Sequence, residues 1–297
     1  MSDLYRPRLL HSIDRDGLAE VARDRRWPKW STMCHLHWLG LPVLNAVCIP
    51  PQHAEDLPSA AALLASATSA TRLMVRSDGG VETRDYYRGG NSYPLDEVVP
   101  HATRLLAGGR AVMLLEPTNR YINRLTVLLR LDRSGTRGKG SFTIEALGPG
   151  YDVGDLTRGG IHPQVQLSMD DVNWRCYAKP WLYDFRVSRF LHQHAEQTRR
   201  TQRLDRLATH LPGNTSADAE RWLRAHGYTS LWIDSDPTMR VLRTARAWFD
   251  AAFAIAMTHP NRDWRCLATA VSDLGDGRSV YWDIVDASRK FGPGVPR

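Results

Sequence analysis

Three stretches of the chain hold residue types whose spacing suits anion chemistry. The first is residues 29–43, KWSTMCHLHWLGLPV. Lys29 opens an amphipathic helix with Met33, Leu36 and Leu39 on its apolar side, and the helix stops at Gly40 before a strand. An ammonium at a helix start is a point charge suited to phosphate, although a solvated lysine fits the same pattern. The second is residues 75–95, VRSDGGVETRDYYRGGNSYPL. Arg76 and Ser77 end a strand and enter Gly79-Gly80, where bare backbone can approach a phosphate and successive N–H groups can form an anion nest. Arg76 adds a bidentate fork, and Glu82 is placed to orient an arginine or a metal ion. A hairpin loop with surface charges is the alternative. The third is residues 144–163, IEALGPGYDVGDLTRGGIHP, where a strand delivers Glu145 to a glycine-rich turn followed by Asp152, Asp155 and Arg158. Its alternative is a structural Ω-loop.

Other clusters carry less. Cys34, His35 and His37 are neighbours, but helical residues two apart point in different directions, so one metal site for both histidines is not expected. His192 and His194 fail the same test. Residues 183–211 read as a helix bearing Arg186, Arg189, Arg199, Arg200, Arg203 and Arg206, a pattern suited to nucleic acid. Asp184, Glu196 and Asp205 break that field and favour a solvated face.

These residues need elements to position them. Residues 1–40 read as helical and 41–51 as a buried strand stopped by two prolines. Residues 53–70 read as helix, 71–77 as strand, 78–94 as a loop or hairpin, and 95–108 as helix. Strands follow at 111–116, 124–131 and 141–147, with more expected within 165–177. Residues 217–226 read as a helix that an Asp/Ser/Thr start could cap, and 237–257 as an amphipathic one, with Val241, Ala245, Trp248, Ala252 and Ile255 at helical spacing. A hairpin, 266–274 with 278–285, closes the chain. Mixed helices and antiparallel strands give an α+β fold.

With 297 residues and 42% hydrophobic content, the chain can bury a sizeable core in one large domain or two lobes. No apolar run is long enough to span a bilayer, no signal peptide is evident, and no membrane partner is expected. Four cysteines without a short pair imply no disulfide framework and a reduced, cytoplasmic setting. The net charge of +7 comes almost wholly from arginine: Lys29, Lys139, Lys179 and Lys290 are the only lysines among 39 basic residues. Arginine forks favour phosphate and carboxylate ligands.

Taken together, the three stretches resemble the ATP-binding domain of phosphoenolpyruvate synthase and pyruvate phosphate dikinase, an ATP-grasp-like fold. That family has a lysine helix followed by L-x-x-L-x-x-x-G-x-P-V-P, and here Lys29 stands eleven residues before Gly40, with Leu41-Pro42-Val43 next. Its V-R-S-S-x-x-x-E-D strand end is similar to Val75-Arg76-Ser77-Asp78 with Glu82. Its later E-A-x-x-G-L-G segment is similar to Glu145-Ala146-Leu147-Gly148-Pro149-Gly150. The likeness covers nearly the whole chain in order. It implies a two-lobed fold with antiparallel sheets flanked by helices and a nucleotide cleft between an N-terminal lobe, 1–109, and a C-terminal lobe, 110–297. It implies ATP and Mg²⁺ as cofactors. Lys29 and Arg76 would hold phosphates and act in catalysis, with Ser77, Glu82 and Glu145 nearby. Residues 114–117, with Leu115 and Glu116, would form the hinge that meets adenine and ribose. Asp283 would stand for the family's glutamine metal ligand, with Asp273 as a possible companion.

The sequence also departs from the family. Trp27-Pro28 replaces the glycine pair before the lysine, and the metal-binding glutamate falls near Thr269, Ala270 or Val271, none of them acidic. The dikinases' phosphate-carrying histidine domain has no counterpart here, so the acceptor would be a small molecule or another protein. Three functions follow: an ATP-dependent phosphotransferase or ligase, a non-catalytic nucleotide binder, or an arginine-rich nucleic-acid-binding protein.

Overall fold

The computed structural model describes residues 5–24, 26–79, 91–117, 123–133, 139–148, 151, 153, 156, 163, 165–173, 186–189, 217–218, 221, 237–260, 263–274 and 278–286. The fold is α+β, as expected, with helices and two antiparallel sheets. By its contacts the chain forms two units: residues 1–118 with 280–283, and 119–279 with 284–297.

In the first unit, α1 (Arg15–Arg23) starts at Asp14, whose carboxylate accepts from the Gly17 amide at 2.7 Å. Helix α2 (Pro28–Trp38) follows. The expected helix over 1–40 is therefore broken. Pro28 disfavours helical geometry in the residue before it and suits the first position of a new helix. Gly40 closes α2 at φ +76°, its amide bonding the His37 carbonyl and the Leu41 amide reaching back to Leu36. Those two bonds make a Schellman cap. Strand β1 is shorter than the expected 41–51 and covers Ala46–Ile49. Then come α3 (Leu57–Thr68), β2 (Arg72–Asp78), β3 (Asn91–Pro94), α4 (Leu95–Ala107) and β4 (Ala111–Leu115).

The sheet order is β1-β4-β2-β3, every neighbour antiparallel. One face carries Val47, Ile49, Leu73, Val75, Val112 and Leu114 against Leu57 and Leu64 of α3 and Val98 and Ala102 of α4. Alternation sends Cys48, Met74, Arg76, Asp78, Met113 and Leu115 to the other face.

The second unit is built on β5 (Asn123–Asp132), β6 (Lys139–Leu147), β7 (Val165–Asn173), β8 (Arg186–Arg189) and β9 (Cys266–Leu274). With β10 (Ser279–Asp286) the order is β10-β9-β5-β6-β7-β8. Helix α5 (Pro237–Thr258) packs on one face, where Phe249 meets Phe142 edge-on at 5.1 Å. Val241, Ala245, Trp248, Ala252 and Ile255 are buried, as their spacing predicts.

Strand β8 corrects the expected arginine helix. Arg186 and Arg189 lie on a strand paired with β7, Val187 opposite Leu167. The backbone groups of β7's outer edge need partners, and the short run Arg-Val-Ser-Arg supplies them. The remainder of that expected helix, with Arg199, Arg200, Arg203 and Arg206, lies outside the described residues, as does most of the helix expected at 217–226.

Candidate phosphate-binding site

The site forms where α2 begins and β2 ends. Trp27, the residue preceding α2, has no side-chain acceptor for the helix's first amides. Those amides need a partner from elsewhere. Asp78 provides it: its carboxylate accepts from the Lys29 amide at 3.1 Å, the Trp30 amide at 2.8 Å and its own neighbour Gly79 at 2.9 Å. Asp78 is only 1% exposed. Burial pushes its carboxyl above the usual carboxylate range, while the three amides and the nearby Lys29 ammonium pull it back down. The Lys29 Nζ reaches across to donate to the Ser77 carbonyl at 2.8 Å. Residues 48 apart in sequence are thereby joined.

Gly79 has φ +91°, and a Cβ there would sit 2.6 Å from the Trp27 ring. The close approach expected of a phosphate at this glycine is made by an indole, and the Gly79 amide is already taken by Asp78. Gly80 and Glu82 lie outside the described residues.

Arg76 stands two residues before Asp78 on the same face of β2. Its Nη2 lies 3.4 Å from Asp283 Oδ2, and both side chains keep some exposure, 16% and 21%. Asp283 belongs to the same unit. Lys29 is thus tied to the Ser77 carbonyl, and Arg76, the residue before Ser77, to Asp283. Leu115 and Glu116 are at the opposite end of β4, since Met74 pairs with Leu115 and Asp78 with Ala111. Glu116 is fixed by Asn45, whose Nδ2 and backbone amide donate to Oε2 at 2.8 and 3.2 Å.

The remaining expected residues are in the second unit. Glu145 on β6 accepts from Arg130 at 3.1 Å and from Gln166 at 3.4 Å. Asp273 on β9 is fully buried, with both oxygens held at 2.6 Å by the Arg240 fork of α5. The pairing raises the Arg240 guanidinium above its ordinary value. Asp273 pairs with Leu125 and Glu145 with Leu128. Three residues apart on one strand means opposite faces, so these two carboxylates do not converge.

Magnesium needs several hard oxygens in near-octahedral array. The residues named for it do not fit: Asp273 is saturated by Arg240, Glu145 faces away from it, and Asp283 carries a guanidinium. Among the described residues, one group of three potential ligands does converge, His53, Glu55 and Asp56 on the 3₁₀ turn Pro51–Asp56. His35 and His37 diverge as expected. His35 is buried beside Trp38, and His37 meets His11 edge-on at 4.6 Å. Among the described residues no helix is long and apolar enough to cross a membrane.

Asn45 and Arg240 are not marked by the sequence, and Asp78 and Trp27 stand there only as motif positions without a role. One signal was available for Asp78: Pro28 opens a helix after a tryptophan that cannot cap it.

No family model matches the sequence, and no curated protein matches it. Among solved structures, the chain is similar to D-cycloserine synthetase DcsG, with 15% identity over 90% of this chain and TM-score 0.40. It is also similar to the ATP-grasp ligase PsnB complexed with minimal precursor, with 11% identity over 92% of this chain and TM-score 0.36. A third is N5-carboxyaminoimidazole synthetase from Staphylococcus aureus complexed with ADP, with 8% identity over 88% of this chain and TM-score 0.38. The chain spans 62%, 57% and 43% of those chains' own lengths.

Proposed function

We propose that this chain is an ATP-grasp-like nucleotide-binding protein, an ATP-dependent phosphotransferase or ligase acting on a small-molecule or protein acceptor. The observation that carries this reading is that the Lys29 ammonium is bonded to the Ser77 carbonyl, one residue along β2 from Arg76. Two cations from separate elements, Lys29 on α2 and Arg76 on β2, suit a phosphate chain. In this reading both hold phosphates and stabilise the charge that moves during transfer. The end of β4 at Leu115 and Glu116 meets the base and ribose. Leu115 shares the face of Arg76, two strand residues from the Met113 that pairs with Arg76, about 7 Å, whereas Glu116 falls on the other face by alternation. The finer kinship, with the ATP-binding domain of phosphoenolpyruvate synthase, is supported by the order and spacing of the motifs. Asp273 supplies no magnesium ligand in this reading.

A second reading, a nucleotide binder without turnover, is favoured by one observation. The acidic side chain expected on β9 is buried and saturated by Arg240.

Calorimetric titration with ATP, with and without Mg²⁺, tests both. Lys29→Ala and Arg76→Ala, checked for folding by circular dichroism, are each expected to weaken binding about tenfold or more, since hydrogen bonds to charged groups are the strong ones. Release of ADP or AMP in an acceptor screen supports the enzyme, and binding without release supports the second reading. No binding up to millimolar ATP defeats both.

A further inference from the structure

We propose that residues 5–13 form a strap with one acid-sensitive fastener, the contact of His11 with His37. Two fasteners tie this segment to α1 and α2. Near its start, the Tyr5 hydroxyl donates to the Asp24 carboxylate, just past the end of α1. Arg26 grips the same carboxylate at 2.9 and 2.6 Å, and its guanidinium lies 4.7 Å over the Tyr5 ring. Hydrogen bonding from Arg26 holds the Asp24 carboxyl down at about 2. This fastener therefore keeps its charges across the range where imidazoles titrate. Further along, His11 of the turn Leu10–Ser12 meets His37 in the last turn of α2, ring centres 4.6 Å apart and edge-on. Leu10 and Ile13 are buried at that turn.

Neither histidine has a carboxylate partner among the described residues. Arg8 stands just ahead of the turn. From α1, Arg15 lies 5.6 Å over the ring of Trp38, the residue after His37. The Asp14 carboxylate accepts from the Gly17 amide, and Asp16 is the other acid of that first turn. On α2 itself, His35 is buried. Burial, and then His11, hold His37 below the ordinary imidazole range. A helix end favours one positive charge, so a single proton on the pair fits there. A second proton sets two like charges at ring contact. At 4.6 Å in a water-like dielectric, that disfavours the closed strap about fivefold. Because His37 is lowered in the folded chain, the fastener is whole above the ordinary imidazole value and weakens as pH falls below it. Acid frees the turn and leaves Tyr5 in place.

The test is amide hydrogen exchange of the full chain at about pH 7.5 and about pH 5, on either side of the imidazole range. Protection factors divide out the intrinsic pH dependence of exchange. The Ser12 and Ile13 amides bond the Leu9 and Leu10 carbonyls. They are expected to lose about fivefold protection in acid at low salt, and less at high salt. The Asp24 amide, bonded to the Val21 carbonyl, is expected to keep its protection. His11→Phe keeps a ring at the contact without the charge. It is expected to abolish the acid loss, as is His37→Gln, with circular dichroism confirming folding. Proton NMR of the imidazoles gives a second readout: the His37 midpoint is expected to lie below the ordinary value in wild type and to rise in His11→Phe. Protection at Ser12 and Ile13 that does not change with pH in wild type overturns the proposal. So does an acid loss that persists in both variants, an equal loss at Asp24, or a His37 midpoint indifferent to His11.

Discussion

Asp273 and Arg240 show how one side chain can look available in sequence and be fully committed in the fold. An aspartate on a strand near a glycine turn resembles a cation ligand until its partner 33 residues earlier is known. Nothing in the local pattern marks that partner, because Arg240 is one of many arginines and its role depends on how α5 lies on the sheet. The pair makes a stability prediction. Arg240→Ala strands a buried carboxylate, and breaking such pairs costs about 3–5 kcal/mol. The lower end is expected here, since Arg240 itself keeps 24% exposure. Urea denaturation measures it, and Arg240→Ala with Asp273→Ala together is expected to recover much of the loss. Equal stability of Arg240→Ala and wild type would show that the pair is not closed in solution.

At the scale of elements, strong periodicity carried through. Residues 111–115 and 266–274 are continuous or nearly continuous buried strands, and α5 buries the face its spacing marks out. The end of α2 was legible too, because Gly40 adopts the positive φ its place after the helix calls for. What sequence did not reveal was contact across elements. The order β1-β4-β2-β3 and the Asp78 cap depend on pairing between segments far apart, and β8 hides in an arginine-rich run whose composition reads as a solvated helix. The junction of Gly79 and Trp27 is the most sensitive of these contacts. Gly79→Ala meets both a left-handed φ and an indole at 2.6 Å, and its neighbour Asp78 caps α2. A loss of about 1–3 kcal/mol is expected. Thermal unfolding measures the loss, and Gly79→Ala with Trp27→Leu is expected to restore part of it. A Gly79→Ala chain as stable as wild type would mean that the ring does not rest there.

For the whole molecule, the informative segment is 280–283. Val280 and Tyr281 are buried, and the Tyr281 amide donates to the Pro42 carbonyl at 2.9 Å. These four residues belong with the first unit although their neighbours on β10 belong with the second. Tyr281→Ala, which removes a large buried ring, is expected to cost about 3 kcal/mol. Hydrogen exchange is expected to report that loss at amides of β1, β2 and β4. Protection lost only in β5 and β9 would assign the segment to the other unit.

The same segment sets a schedule for synthesis. Residues 1–118 leave the ribosome before 280–283, the last contributors to their unit, which follow about 160 residues later. At typical elongation rates of about 5–20 residues per second, that delay is roughly 10–30 s. Throughout it, Arg76 has no Asp283 to meet and the Pro42 carbonyl lacks the Tyr281 amide, so the nascent first unit holds an arginine and a backbone carbonyl still short of these two partners.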